Sequence, residues 1–172
     1  MPDGEARLIE RFHAALLASD SATALLERWC GERVSALRVA VPAMALPTEH
    51  VPLLALRAGE RVVYRRVKLV AGGRVLCAAE NWYVAERLTA AMNWALERTT
   101  TAFGHVVAPL RPRRRALATT LPPADGSGVV LEHRTLLTAG DGRAISIVHE
   151  GFTREILAAS PSIGAGYGVA RA

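Results

Sequence analysis

The chain has 172 residues, of which 51% are hydrophobic and 22% charged, a composition typical of a globular domain that buries an apolar core. Its net charge is +5, but the basic residues are mostly scattered singly; the run at Arg111 and residues 113–115 has no aromatic platform beside it and is interpreted as a solvated loop. No stretch approaches the roughly 20 apolar residues that cross a bilayer and no signal peptide is evident, so we expect a cytoplasmic protein without a nucleic-acid or membrane partner.

The predicted elements begin with two helices. Apolar residues recur at helical spacing over residues 5–17 and again over 23–30, and Ser19, Asp20 and Ser21 between them offer a helix cap. Alternating polarity predicts a first strand over 34–41. Three prolines then predict an ordered loop without a regular element.

Two hairpins are predicted further along the chain. Strand-like runs at 61–70 and 74–84 flank a glycine pair, and runs at 129–138 and 143–152 flank a Gly-Asp-Gly turn. Between the hairpins the sequence predicts a helix over 87–98, a turn at 102–104 whose amides can face a ligand, a short strand over 106–110 and a proline- and glycine-rich loop over 121–128. This order predicts an α+β fold with a mostly antiparallel sheet.

Each hairpin carries one charged residue on an apolar strand face: Arg65 in the first and Glu150 in the second. A guanidinium cannot lose its proton, so a buried one needs a carboxylate or a bound anion. A carboxyl group among apolar neighbours is a candidate acid/base. The alternative is structural, in which Glu150 pairs with Arg65 or with a surface arginine.

Motifs that would indicate other chemistry are missing from the sequence. It has no phosphate-binding loop, no nucleophile elbow and no zinc helix, and Cys30 and Cys77 lack metal-ligand or disulfide spacing. His149 lies next to Glu150, hence on the opposite strand face, and is interpreted as a core or surface histidine. We therefore expect no metal and no cofactor.

Several short motifs resemble the chorismate pyruvate-lyase family. They occur in the family's order and cover most of residues 20 to 155. The motifs are Ser21-Ala22-Thr23, Val51-Pro52-Leu53-Leu54, Tyr64-Arg65-Arg66-Val67-Lys68-Leu69, Gly72-Gly73, Thr100-Thr101-Ala102-Phe103-Gly104 and Val148-His149-Glu150-Gly151-Phe152.

The resemblance implies a fold, a pocket and a reaction. The fold is a six-stranded antiparallel sheet with helices on one side; we expect one domain over residues 1–157, followed by a flexible tail over 158–172. In the nearly closed pocket for a small aromatic carboxylate, the resemblance makes Arg65 the carboxylate anchor and Glu150 the catalytic acid/base. The resemblance also implies that Phe103 contacts the ligand through its backbone amide, beside Gly104. The family eliminates pyruvate from chorismate without a cofactor and forms 4-hydroxybenzoate, as in ubiquinone biosynthesis.

Two positions depart from the family pattern. Ala22 stands where the family has a pocket methionine, and Glu80 stands where it usually has a second arginine. Chorismate carries two carboxylates, and an acid at position 80 would repel one of them. Either another arginine, such as Arg115 or Arg134, takes that role, or the ligand is a different aromatic acid.

Three readings therefore stay open: a lyase, a binding protein without catalysis, and a structural Arg65–Glu150 pair. The second follows because the same fold resembles the effector-binding domains of bacterial transcription regulators, which bind a small aromatic or other effector. Those domains usually follow a winged-helix DNA-binding domain, and the roughly 30 residues before the first strand are too few to hold one, which favours the enzyme. The oligomeric state is open, with a monomer favoured.

Overall fold

A computed structural model describes residues 2–121 and 126–159. This part of the chain contains six helices, six strands and three short 3₁₀ turns. The helices are α1 (Pro2–Leu17), α2 (Ala22–Cys30), α3 (Val51–Leu54), α4 (Ala90–Arg98), α5 (Phe103–Val106) and α6 (Glu155–Ala158). The strands are β1 (Ser35–Arg38), β2 (Val62–Ala71), β3 (Arg74–Val84), β4 (Arg113–Thr120), β5 (Val129–Thr138) and β6 (Ala144–Thr153). The 3₁₀ turns are Thr48–His50, Ala85–Arg87 and Ala108–Leu110.

The six strands form one open antiparallel sheet in the order β1-β2-β3-β6-β5-β4. Both predicted hairpins are present, β2 with β3 and β5 with β6, and they meet where β3 pairs with β6. Gly72 and Gly73 join the first hairpin with φ values of 54° and 76°, which glycine adopts without steric cost. The predicted α+β class and six-stranded antiparallel sheet are confirmed.

The two faces of the sheet differ in what covers them. The inner face lies under α1, α2, α4, α5 and α6, whose apolar residues pack against it. Phe12 of α1 contacts Phe152 of β6 with ring centroids 5.0 Å apart, and Leu16 and Leu26 are fully buried beside them. The outer face is partly covered by the segment that contains the four-residue α3, where Leu54 is fully buried. The predicted placement of helices on one side thus holds, with α3 as the exception.

The start of α2 is fixed by its cap. Ser21 adopts an extended backbone conformation and its hydroxyl accepts a hydrogen bond from the Ala24 N–H at 3.2 Å. Gly31 ends the helix in the left-handed region, at φ 72°. The capping role expected of the segment at 19–21 is confirmed, and it holds Ser21, Ala22 and Thr23 over the inner face.

Two sequence-based predictions about local structure are wrong. Residues 106–110 form helical turns, because Val106 and Val107 are both buried and lack the alternation of a strand. The last three arginines of the run, residues 113–115, belong to the edge strand β4. Arg113 and Arg115 are exposed, whereas the Arg114 side chain points towards the inner face and is only 6% exposed. An ion pair on the inner face accounts for that inward turn.

Other boundaries shift by a few residues. The first strand is shorter than expected, and the proline-rich loop contains α3. Helix α6 reaches residue 158, and the remainder of the expected flexible tail, residues 160–172, lies outside the described residues, as do residues 122–125. The single domain expected over residues 1–157 stays a prediction.

Candidate functional site

A cavity of about 50 Å³ lies between the inner face of the sheet and the starts of α2 and α5. The sheet contributes Arg65, Asn81, Val148 and Glu150 to its lining, among other residues. Larger grooves open at the surface, including one of about 510 Å³ beside Arg111. The small cavity is distinguished from them by the charges buried around it.

Arg65 carries a buried positive charge that no carboxylate in the described part of the chain pairs with. It lies on β2 directly opposite Asn81 of β3 and is 3% exposed. Among residues 2–121 and 126–159, neither Nε nor Nη2 of its guanidinium has a hydrogen-bond partner. Burial lowers the pKa of Arg65; the nearby Tyr83 phenol acts in the opposite direction, and the charge of Arg38 adds to the lowering. The group remains a cation, because even a lowered arginine pKa lies far above neutrality.

Glu150 lines the same cavity, but it has a partner. It lies on β6 and is 5% exposed. Arg114 Nη1 donates to Glu150 Oε1 at 3.1 Å and Nη2 to Oε2 at 2.6 Å, a two-pronged contact that engages both carboxylate oxygens. Arg114 Nη2 also lies 3.2 Å from the Thr135 hydroxyl oxygen. The structural pairing considered for Glu150 is therefore present, and its partner is the buried Arg114 instead of Arg65 or a surface arginine.

Among the buried charged side chains of the cavity, these contacts leave one net positive charge, that of Arg65. Arg114 and Glu150 neutralise each other, and Arg65 has no opposite charge in the described part of the chain that bonds to it. His133, which faces the same side of the sheet, contacts the Thr135 hydroxyl through Nδ1 at 3.1 Å. Burial lowers its pKa, so it is neutral at physiological pH. The site is electrostatically prepared for an anion.

The cover of the cavity depends on a close approach of two helix starts. A Cβ atom added to Gly104 would lie 2.7 Å from the Ser21 hydroxyl oxygen and 3.0 Å from that of Thr23, so only glycine fits without displacement. Helix α5 makes its first internal hydrogen bond from the His105 N–H to the Ala102 carbonyl, at 3.0 Å. The amides of Phe103 and Gly104 precede that bond at the start of the helix, where N–H groups lack intrahelical acceptors.

The structure brings together five of the six residues singled out from the sequence. Their roles in binding or catalysis stay predictions. The five that line the cavity are Ala22, Arg65, Phe103, Gly104 and Glu150.

Glu80, the sixth residue, lies elsewhere. It sits on the outer face opposite Arg66, and its Oε1 accepts a hydrogen bond from the Tyr64 hydroxyl at 2.6 Å. It lines an open groove on that face together with Arg134. Because strand residues alternate between faces, Glu80 points away from the cavity. The expected repulsion between Glu80 and a ligand in the cavity therefore does not arise.

The arginine that joins the cavity is also different from those expected. Arg134 and Arg115 pair in register with outer-face residues of the neighbouring strands, and both are exposed. Arg114 takes the inner position between Arg113 and Arg115. A strand over residues 113–120 would have predicted that the Arg114 side chain lies on the opposite face from those of Arg113 and Arg115, since every second residue of a strand shares a face.

Asn81 is a further cavity residue that sequence reasoning missed. It pairs directly with Arg65 across the hairpin and is buried. The Ser146 hydroxyl donates a hydrogen bond to its Oδ1. An uninterrupted register from the glycine pair would place position 80 opposite Arg65; a β-bulge between Leu69 and Val70 shifts the register by one residue and brings Asn81 there instead.

Two classes of feature are missing from the described residues. No group of three or more histidine, cysteine, aspartate or glutamate side chains there is arranged to hold a metal ion. None of the helices within residues 2–121 and 126–159 is long and apolar enough to cross a membrane.

Comparison with known proteins gives a relative in sequence. The chain is 35% identical over 182 aligned positions to "Uncharacterized protein y4mC" of Sinorhizobium fredii (strain NBRC 101917 / NGR234), an alignment that spans 87% of this chain and 75% of the relative. The chain belongs to the y4mC family. No family model matches the sequence.

Solved structures share the fold of this y4mC-family chain. The effector domain of PhnF from Mycobacterium smegmatis matches with a TM-score of 0.56 and 15% identity, over 78% of this chain and 89% of that domain. A ligand-binding domain from Bordetella bronchiseptica, described as part of a GntR-family transcriptional regulator, matches with a TM-score of 0.51 and 14% identity, over 72% and 85% of the two chains. The expected relation to effector-binding domains is confirmed at the level of fold.

Proposed function

We propose that this chain is a binding domain for a small organic anion whose carboxylate, or an equivalent group, pairs with Arg65 in the cavity. The observation that carries the proposal is the buried guanidinium with two partnerless nitrogen atoms. An unpaired buried charge is costly, and a bound anion would offset the cost through charge-assisted hydrogen bonds. The printed descriptions of the two neighbours, an effector domain and a ligand-binding domain, support binding without catalysis.

The size of the cavity restricts the ligand. At about 50 Å³ it is much smaller than the roughly 150 Å³ apolar cavity that accepts benzene in a well-studied protein. A carboxylate group and a few attached atoms fit in the closed cavity. An aromatic ring, as expected from the sequence, requires the starts of α2 and α5 to move apart, so we include aromatic carboxylates in the proposal on that condition.

A second candidate is the elimination of pyruvate from chorismate. It is favoured by one observation, that Glu150 and Arg65 line the same cavity. The contact with Arg114 weighs against it, because both oxygens of Glu150 already accept hydrogen bonds and a general acid/base needs one of them free to reach the substrate. We therefore place binding ahead of lyase activity.

Titration calorimetry with acetate, benzoate and 4-hydroxybenzoate tests the binding proposal. Arg65→Gln should weaken binding by about tenfold or more, the effect of losing a hydrogen-bonded charge. Arg66→Gln is the matched control, because Arg66 is the next residue of β2 and is exposed on the outer face. Equal affinities in wild type and Arg65→Gln, or no binding of any of the three anions by wild type, would contradict the proposal.

Incubation with chorismate separates the two candidates. The lyase reading requires 4-hydroxybenzoate to form with wild type and to stop forming with Glu150→Gln. The binding reading expects no product from either protein.

We also place the protein in the cytoplasm, since both cysteines are free thiols and a reducing compartment keeps them so.

A further inference from the structure

The cavity contains two guanidinium groups but only one that is available to a ligand. Arg114 reaches the cavity lining from the edge strand β4, and its two terminal nitrogens are engaged by Glu150 and Thr135. Turning Arg114 towards a ligand would leave Glu150 buried without a cation, which is strongly unfavourable. Arg65 alone is therefore free to hold a negative charge.

We infer that this site selects singly charged anions over doubly charged ones, and that Glu150 sets the selectivity by holding Arg114. The inference rests on the proposed function and names the charge class of its ligand. It assigns Glu150 a part in specificity that requires no proton transfer. Chorismate, which carries two carboxylates, would then be a poor ligand.

A second negative group on the ligand would face a carboxylate that Arg114 already neutralises. Arg65 lies on β2 and Glu150 on β6, with β3 between them, and Glu150 is two residues along β6 from the position level with Arg65. Their backbones are therefore roughly 12 Å apart, a distance that a dicarboxylate and the two side chains can bridge. At that end of the cavity the ligand's second carboxylate would meet the Glu150–Arg114 pair, whose charges cancel, so it would lose its hydration without gaining a free counter-charge.

The rest of the polar lining supplies no cation for the second carboxylate either. Asn81, Ser21 and Thr23 present uncharged groups, and Asp20, exposed at the rim, adds another negative charge. The neutral groups suit hydroxyl, amide or carbonyl substituents of a ligand. The charge distribution therefore matches one carboxylate at Arg65 and neutral polar atoms elsewhere.

Isosteric probes can separate charge from shape. Succinate and succinamate, or terephthalate and terephthalamate, differ only by a carboxylate in place of an amide, so calorimetry of each pair at neutral pH reports the effect of one charge. Wild type should bind the monoamide at least about tenfold more tightly than the dianion. Equal affinity for the two members of a pair overturns the inference and leaves the proposed function standing.

Substitution of Glu150 tests its part in this selectivity. Glu150→Gln releases Arg114 for the ligand, so the dianion should gain about tenfold or more in affinity and become the preferred member. Glu132→Gln is the control, since Glu132 is exposed on the outer face. An unchanged preference in folded Glu150→Gln overturns the inference.

A double variant guards against misfolding. The variant Arg114→Gln/Glu150→Gln removes both charges, so the net charge of positions 114 and 150 stays at zero. This double variant should therefore prefer the monoamide, as wild type does. If Glu150→Gln does not fold, the inference is tested by the ratio of monoamide affinity to dianion affinity in wild type and in the double variant. A preference for the dianion in either protein overturns the inference. If wild type binds no member of either pair and Arg65→Gln is equally inactive, the proposed function itself fails.

Discussion

Replacing Arg65 by methionine should stabilise the ligand-free protein while it removes binding. Methionine is unbranched and keeps an apolar stem of similar length, so it preserves much of the packing that the arginine methylenes make against the inner face. It also removes the guanidinium, whose Nε and Nη2 are buried without partners within the described residues. The substitution therefore exchanges an unsatisfied charge for an apolar group in an apolar setting.

The size of the effect follows from those two nitrogen atoms. Leaving a buried donor unsatisfied costs about 1–3 kcal/mol, and more when the group is charged. Removing the unsatisfied guanidinium therefore increases stability, and part of this increase is offset because methionine fills the space that the guanidinium occupied imperfectly. We expect a net increase of about 2 kcal/mol in the free energy of unfolding, which corresponds to a rise of about 4–8 °C in Tm for a domain of this size.

Urea denaturation and thermal melting of wild type, Arg65→Met and Arg66→Met measure this difference. The Arg66 variant controls for the loss of a positive charge from β2, and because Arg66 is exposed its stability should change by less than about 0.5 kcal/mol. A loss of stability in Arg65→Met would refute the reasoning, since it would show that the guanidinium makes a favourable contact in the free protein.

Four further predictions concern residues at the site and elsewhere in the fold. Arg87 donates to Glu60 at 2.6 Å and to the backbone carbonyls of Leu54 and Ala144, so Arg87→Ala should lower the free energy of unfolding measured in urea by about 1–3 kcal/mol, the cost of leaving those carbonyls without a donor. The hydrogen bond from Arg87, together with that from the Arg57 backbone N–H, lowers the pKa of Glu60 from 4.5 to about 2; the resulting stabilisation is complete above pH 4.5 and is lost as the pH falls towards 2, a dependence that titrated melting curves should show to be weaker in the alanine variant. Gly104→Ala places a methyl group 2.7 Å from the hydroxyl oxygen of Ser21, the cap of α2, so calorimetry should show weaker anion binding. Unchanged affinity would mean that the starts of α2 and α5 move apart without cost to binding. Burial and the hydrogen bond to Glu80 raise the pKa of Tyr64 to about 12, and tyrosinate absorbance should show this pKa falling in Glu80→Gln.

The elements that the sequence predicts correctly are those with strong local signals. The glycine pair at 72 and 73 determines the first hairpin, and the serine cap at 21 determines the start of α2. Residues 106–110 have no such signal, and apolar residues in a short run suit a strand or a buried helical turn equally well. The charge of the arginine run predicts a solvated loop, whereas its member Arg114 is buried in an ion pair with Glu150, which is distant in the sequence.

The candidate site was predictable as far as strand alternation reaches. Alternation places Arg65 and Glu150 on inward faces, but the β-bulge between Leu69 and Val70 that places Asn81 beside Arg65 was not predictable from the glycine pair. The resemblance to a known family instead directed attention to Glu80, one residue away and on the other face. The partner of Glu150 could not be deduced, because it lies on an edge strand that reaches Glu150 only across β5, and sequence does not give that sheet order.

The pairing pattern supports the proposal that Arg65 binds a ligand. Three ionised side chains of β2, β4 and β6 line one cavity, and the single carboxylate among them binds the arginine of the edge strand. An apolar residue at position 65 would avoid the cost of an unsatisfied guanidinium, and nothing in the described fold requires a cation there. Sites that bind ligands commonly retain such unfavourable groups because the ligand satisfies them. The unpaired charge on β2 is therefore better explained by what binds to the protein than by what holds it together.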